Sequence, residues 1–214
     1  MKRGLGMIFL SITVLALANG VAAGMAGDDK AWAEALALWQ RNSGSKDGPE
    51  RAAAVEAVGN ATYEKRDVQC FKLIHVMLQT ELNRDKGGKK EEEVSNAVLE
   101  ACVGAIRKIT SAEAIDQMVK IARNKGEAPR VRLYIVWGMG GIANSGADKL
   151  LAELCEDKNP SFQIAAVDSI VERGTKEQLP LLLKILKDNH PWEAKISALA
   201  GIDKFGDESC VEPL

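Results

Sequence analysis

The chain has 214 residues, room for one domain or a short run of repeats. Apolar residues make up 46% and charged residues 27%, a balance that permits a packed core; aromatics are scarce at 5%, and the prevalence of Ala, Leu, Ile, Val, Glu and Lys favours helices. The formal net charge of −2 argues against a nucleic-acid-binding surface as the main function.

The first element stands apart from the fold. Lys2-Arg3 forms a short basic region, residues 5–23 carry no charge, and small residues close the run at Val21-Ala22-Ala23 and again at Gly24-Met25-Ala26. This pattern predicts a secretory signal peptide over residues 1–26, cleaved after Ala23 or Ala26. An uncleaved anchor over residues 5–23 is the alternative, since about 19 apolar residues just span a bilayer. Ser11, Thr13, Asn19 and the glycines dilute the segment and favour cleavage. The expected location is exported, periplasmic or extracellular, with membrane contact only if the segment is retained. No Cys follows the apolar run, which argues against a lipid-modified N-terminus. Without Lys2 and Arg3, 26 basic residues face 30 acidic ones, net −4.

Next comes a helix over residues 29–42, expected to cap the fold by burying Trp32, Leu36 and Trp39, with a linker to residue 49. From residue 50 one segment recurs five times, starting at Glu50, Val94, Val131, Phe162 and Ala194, at spacings of 44, 37, 31 and 32 residues. Its sixth position is apolar (Val55, Leu99, Val136, Val167, Leu199), and so is its ninth (Val58, Cys102, Met139, Ile170, Ile202). Three residues apart, the two lie on one helix face. The eighth is small (Ala57, Ala101, Gly138, Ser169, Gly201), which predicts a close helix crossing, and the second is polar (Arg51, Ser95, Arg132, Gln163, Lys195).

A second amphipathic helix follows the first four copies, over residues 66–82, 111–124, 149–156 and 177–187. Residues 83–93, NRDKGGKKEEE, hold eight charges and two glycines and read as a solvated loop between copies one and two. Pro160 and Pro191 fit the first residue of a helix. Thr110-x-x-Glu113 and Thr175-x-x-Gln178 fit capping boxes, and Gly174 and Gly206 fit left-handed helix ends. The fifth copy has a first helix and then GDESCVEPL, so its apolar surface is expected either to continue into a longer solenoid or to meet a partner at Leu214.

The fourth copy, NPSFQIAAVDSIVERGTKEQLPLLLKILKD, carries Asn-Pro, paired alanines and a leucine-rich second helix. It resembles the HEAT-repeat family, in particular the bacterial HEAT-like repeats of the type found in bilin lyases. The resemblance covers residues 50–214 as about four and a half repeats, more loosely in copies one and two. It implies an all-α fold: an α-solenoid of stacked antiparallel helix pairs, an armadillo-like, curved, right-handed superhelix with the second helices on its concave face. It also implies a scaffold that binds a protein partner through dispersed contacts, without catalysis or cofactor.

Nothing in the residues themselves singles out chemistry. His75 and His190 fall in different repeats, and no nucleophile motif or P-loop accompanies them. Glu156-Asp157 and Asp207-Glu208 read as solvated acidic pairs, and Asn60-Ala61-Thr62 is a formal glycosylation sequon. Cys70, Cys102, Cys155 and Cys210 match no metal spacing; Cys70 and Cys102 sit on apolar helix faces and read as core residues, although an exported chain could pair cysteines. Gly138-Met139-Gly140-Gly141-Ile142-Ala143 satisfies a dinucleotide fingerprint, yet it continues a helical repeat, and residues 141–146 read as a turn. The seventh column holds Glu56, Glu100, Asp168 and Ala200, but Trp137 in copy three. An exposed Trp in an acidic column is a candidate partner-binding anchor; the alternative is a ring covering a gap beside Gly138 or Gly141. Two further readings stay open: an N-terminal solenoid piece of a larger exported or surface enzyme, and a bilin lyase-like protein.

Overall fold

The computed structural model describes residues 27–84, 89–174 and 176–206. The signal-peptide segment, Thr175, Asp207, Glu208, Cys210 and Leu214 lie outside them. The described helices are α1 Gly27–Asn42, α2 Gly48–Asn60, α3 Asp67–Leu82, α4 Lys89–Ile106, α5 Ala112–Arg123, α6 Pro129–Met139, α7 Ser145–Cys155, α8 Pro160–Arg173, α9 Leu179–Lys187 and α10 Trp192–Phe205. A 3-10 turn, Lys176–Gln178, leads into α9, and no strand occurs among the described residues.

The five first helices pack in chain order, α2 on α4, α4 on α6, α6 on α8 and α8 on α10, while α1 lies against α2. In the second layer α3 packs on α5 and α5 on α7. Each second helix packs chiefly on the first helix of the following copy, so neighbouring repeats interlock. This is an all-α solenoid. Its core runs along the stack because the sixth column supplies Val55, Leu99, Val136 and Val167, all fully buried. Each such side chain contributes about 1.5–3 kcal/mol on burial. The ninth column is buried in all five copies.

The polar second column is buried in the first three copies and half-buried in the last two. Arg51, at 1% exposure, donates to both Glu81 oxygens (2.7 and 3.1 Å) and to the Ser45 and Lys46 carbonyls (2.9 and 3.0 Å). Ser95 of the next copy donates to Glu81 at 3.2 Å. Arg132 donates to the Ala122 carbonyl at 2.6 Å, with its guanidinium 4.4 Å from the Phe162 ring centre. Gln163 reaches the Asp157 carbonyl at 2.6 Å. In copies one, three and four, therefore, this polar side chain ties its helix to carbonyls of the preceding segment, groups that otherwise lack partners.

Several boundaries differ from the sequence reading. The charged stretch 83–93 is not all loop, because α4 begins at Lys89. The cap of α5 is Ser111, which accepts from the Ala114 amide at 3.4 Å. Thr110 cannot serve, because the buried Asp67 of α3 binds its amide at 2.7 Å and its hydroxyl at 3.2 Å. Helix α7 starts at Ser145, four residues early, because Asn144 caps it through Gly146 (2.8 Å) and Ala147 (3.4 Å). Pro160 opens α8 after the Asn159 cap, whereas Pro191 precedes α10 by one residue. Gly174 is left-handed, with φ 66°. Gly206 is not, at φ −68°; it is glycine because an added Cβ would lie 2.3 Å from the Ile202 carbonyl oxygen.

Candidate interaction surface

The glycine-rich stretch at the end of α6 is the wrong end of a helix for a phosphate. Helix N-termini offer free N–H groups, and C-termini offer carbonyls. Gly138 lies inside α6, and Gly140 ends it with right-handed geometry. The glycines serve packing. A Cβ on Gly138 would lie 2.4 Å from Ile106 Cγ2, one on Gly140 would lie 3.0 Å from the Ser169 Cα, and one on Gly141 would lie 2.7 Å from Arg107 Cγ. In the same small column, a Cβ on Gly201 would meet Val171 Cγ2 at 2.7 Å, and Ser169 donates to the Val136 carbonyl at 3.1 Å across the α6–α8 contact. Ala57 and Ala101 are half-buried. The first pair of copies approaches closely at other positions, where a Cβ on Gly59 would lie 2.6 Å from Ala105 Cβ and one on Gly48 would lie 1.9 Å from Val94 Cγ1.

Ile106 lies against Gly138, and Arg107 against Gly141. Trp137 itself is not fully exposed. It is half-buried, leans on the core and meets Tyr134 edge-to-face, with ring centres 5.1 Å apart. The two rings form one wall of an open groove of about 580 Å³ between α4 and α6, with Asn96, Glu100, Val103 and Arg107 opposite. A second groove of about 480 Å³ adjoins it between α2 and α4, lined in part by Glu56, Asn60, Ala97 and Lys108, and Glu100 borders both. Sequence reasoning singled out Trp137 alone. Tyr134 carried a readable signal, since three residues apart on a helix places the two aromatics side by side.

The charges along this face are unevenly satisfied. Arg107 is paired with Glu172 of α8 at 2.7 Å, and Lys108 donates to Asn60. Asp168 accepts from Ser197 at 2.5 Å. Glu56 and Glu100 are exposed and have no ion-pair or hydrogen-bond partner among the described residues. A larger groove of about 660 Å³ on the other layer mixes Glu64, Glu113, Lys65 and Lys72 and holds no aromatic ring.

The remaining candidates for chemistry have structural partners. His75 stacks on Phe71 and contacts Glu127 at 2.9 Å, which Gln79 also binds. Burial raises the Glu127 carboxyl, but hydrogen bonds from Gln79, the Ala128 amide and His75 outweigh it and leave the pKa lowered. His190 meets Gln163 at 3.3 Å instead of capping α10. Glu156 pairs with Lys184 at 2.7 Å. Cys70, Cys102 and Cys155 are free and buried; burial pushes the Cys70 and Cys155 thiols up to about 12 and that of Cys102 higher still. Among the described residues no group of three or more His, Cys, Asp or Glu side chains could hold a metal ion. No described helix is long and apolar enough to cross a membrane.

Helix pairs stacked through small-residue crossings define a class, the helical-repeat solenoids. Within it, residues 115–203 match the family model of HEAT repeats. No curated protein matches the chain at a significant level.

Proposed function

We propose that the protein is an exported, non-catalytic scaffold that binds a protein partner along its layer of first helices. HEAT repeats commonly mediate such contacts. The observation that carries the reading is the Tyr134–Trp137 pair: two aromatic rings on an open groove, with Trp137 in a column otherwise acidic or small. Amphipathic aromatics at the centre of a surface are the usual energetic anchors of protein interfaces. The basic, apolar and small-residue pattern of residues 1–26 supports export.

The test is partner capture by a photo-crosslinker placed beside Trp137, followed by affinity measurement with Trp137→Ala. Affinity should fall by about tenfold or more, the scale of an aromatic hot spot, while the thermal midpoint changes little. Unchanged affinity with a lower midpoint would make the ring a packing residue.

A second reading has its own observation. Trp192, Ile196 and Leu199 lie on one face of α10 at 67%, 55% and 51% exposure, whereas the four counterparts of Leu199 in the earlier copies are fully buried. That supports a longer solenoid, in which this chain would be one arm of a larger protein. A gene continuing in frame beyond Leu214 with further repeats would bear it out.

A further inference from the structure

We infer that the groove system between α2, α4 and α6 is built for an extended, basic segment of the partner, whose Lys or Arg side chains enter between Trp137, Glu100 and Glu56. This inference rests on the scaffold reading above and adds the chemistry of the partner. The first support is the pairing of an aromatic wall with a free carboxylate. The faces of Tyr and Trp carry negative potential and attract a cation within about 6 Å. Glu100 stands across the groove from both rings with no partner of its own. The second support is the distribution of charge. Of the cations bordering the grooves, Arg107 is paired with Glu172, while Lys108 donates to the neutral Asn60 at the C-terminal end of α2 and keeps its charge. The groove charges with no partner at all, Glu56 and Glu100, are both negative and border adjoining grooves. An acidic segment would meet two unpaired carboxylates here, and an apolar one would leave them desolvated without compensation.

The geometry also sets a register. Stacked helices lie about 8–10 Å apart. A chain in the polyproline II conformation advances about 3.1 Å per residue and brings every third side chain back to the same face. Such a segment crossing the first-helix layer at right angles to α4 therefore places side chains three residues apart into successive grooves. The first cation meets Trp137 and Glu100, and the second meets Glu100 and Glu56. Asn96 and Asn60 line the same grooves with amides that can bond a peptide backbone.

A random-peptide library displayed on phage and panned against the full-length chain tests this. Enriched peptides should carry Lys or Arg pairs about three residues apart. Measured one by one, they should bind about threefold more weakly to Glu100→Gln or Glu56→Gln, the scale of an exposed charge pair. Their affinity should fall as salt rises. Both glutamates are exposed, so these variants leave the fold intact; Trp137→Phe retains the ring and should keep most of the binding. Enrichment of acidic or uncharged peptides, or binding to both Gln variants as tight as to the unaltered chain, would overturn the partner chemistry while leaving the scaffold reading standing. Failure to enrich any peptide over a Tyr134→Ala, Trp137→Ala chain would overturn this groove as a peptide site. The scaffold reading itself fails only if crosslinking from other positions of the surface also captures no partner.

Discussion

The two ends of the described stack are finished in opposite ways. At one end α1 lies over α2 and buries Trp32 to 3% exposure. Asp29 of α1 is tied to the turn before α3 by the Tyr63 hydroxyl and by Arg66 at 3.0 Å. Just inside, the buried Arg51–Glu81 pair locks α2 to α3, with Ser95 joining from α4. At the other end α10 turns Trp192, Ile196 and Leu199 outward with nothing over them among the described residues. Leu199 occupies the column whose other members are fully buried. A repeat position therefore fixes which way a side chain points, not whether anything covers it. Cover comes from the next element in the stack, because each repeat contacts only its neighbours.

The largest test of that contrast removes the lock. Glu81→Ala leaves the Arg51 guanidinium buried and uncompensated, and should cost about 3–5 kcal/mol in chemical denaturation. Since contacts along the stack are local, hydrogen exchange should show the loss in α2, α3 and α4 first, with α8 and α10 less affected. A uniform loss of protection along the chain would mean that the stack is one cooperative unit and that its ends differ in appearance only.

The second test sets one tryptophan against the other. Trp32→Ala should cost about 3 kcal/mol, the lower part of the range for a buried Trp, because α1 has a neighbour on one side only. Trp192→Ala should change stability by less than about 0.5 kcal/mol, as surface substitutions do. Similar losses in a pair of thermal or urea melts would show that the α10 face is covered in solution.

How much of this contrast the sequence revealed follows from what periodicity can carry. The sixth and ninth columns were readable because one helix face repeats at fixed spacing, and the HEAT resemblance rested on the same columns. The burial of Arg51 was not readable, because its partner Glu81 lies 30 residues away and nothing local announces it. A polar residue near a helix start reads as solvated unless the carbonyls it will satisfy are known. Thr110 was misread as a cap for the same reason: Asp67 claims it from 43 residues away, and the cap passes to Ser111. Trp137 was legible as a departure from its column, but its half-burial and its groove needed Tyr134, Glu100 and the crossing at Ile106. The sequence pattern thus located the anomaly, and tertiary packing supplied its surroundings.

The smallest expected effect concerns how α1 is held, and its sign can be worked out. The Tyr63 hydrogen bond, followed by Arg66, holds the Asp29 carboxyl below its usual 3.8. A carboxylate lowered on folding adds stability above its unfolded pKa, and that stability is lost as pH falls through the folded value. The same bond to Asp29 raises the Tyr63 hydroxyl above its usual 10.0. Losing that proton removes the donor, so its contribution is complete below 10.0 and disappears as pH rises through the raised value. Attachment of α1 should therefore be strongest on the plateau between these two limits and weaken at both extremes. Both groups are only half-buried, so solvent screens the effect in part and it should fall short of that of Trp32→Ala. Amide exchange in α1, corrected for the intrinsic pH dependence and measured against α10 in the same sample, isolates it. Tyr63→Phe should abolish the alkaline limb and shrink the acid one. If α1 and α10 responded alike across the range, the tie would not distinguish the two ends, and burial of Trp32 alone would account for the cap.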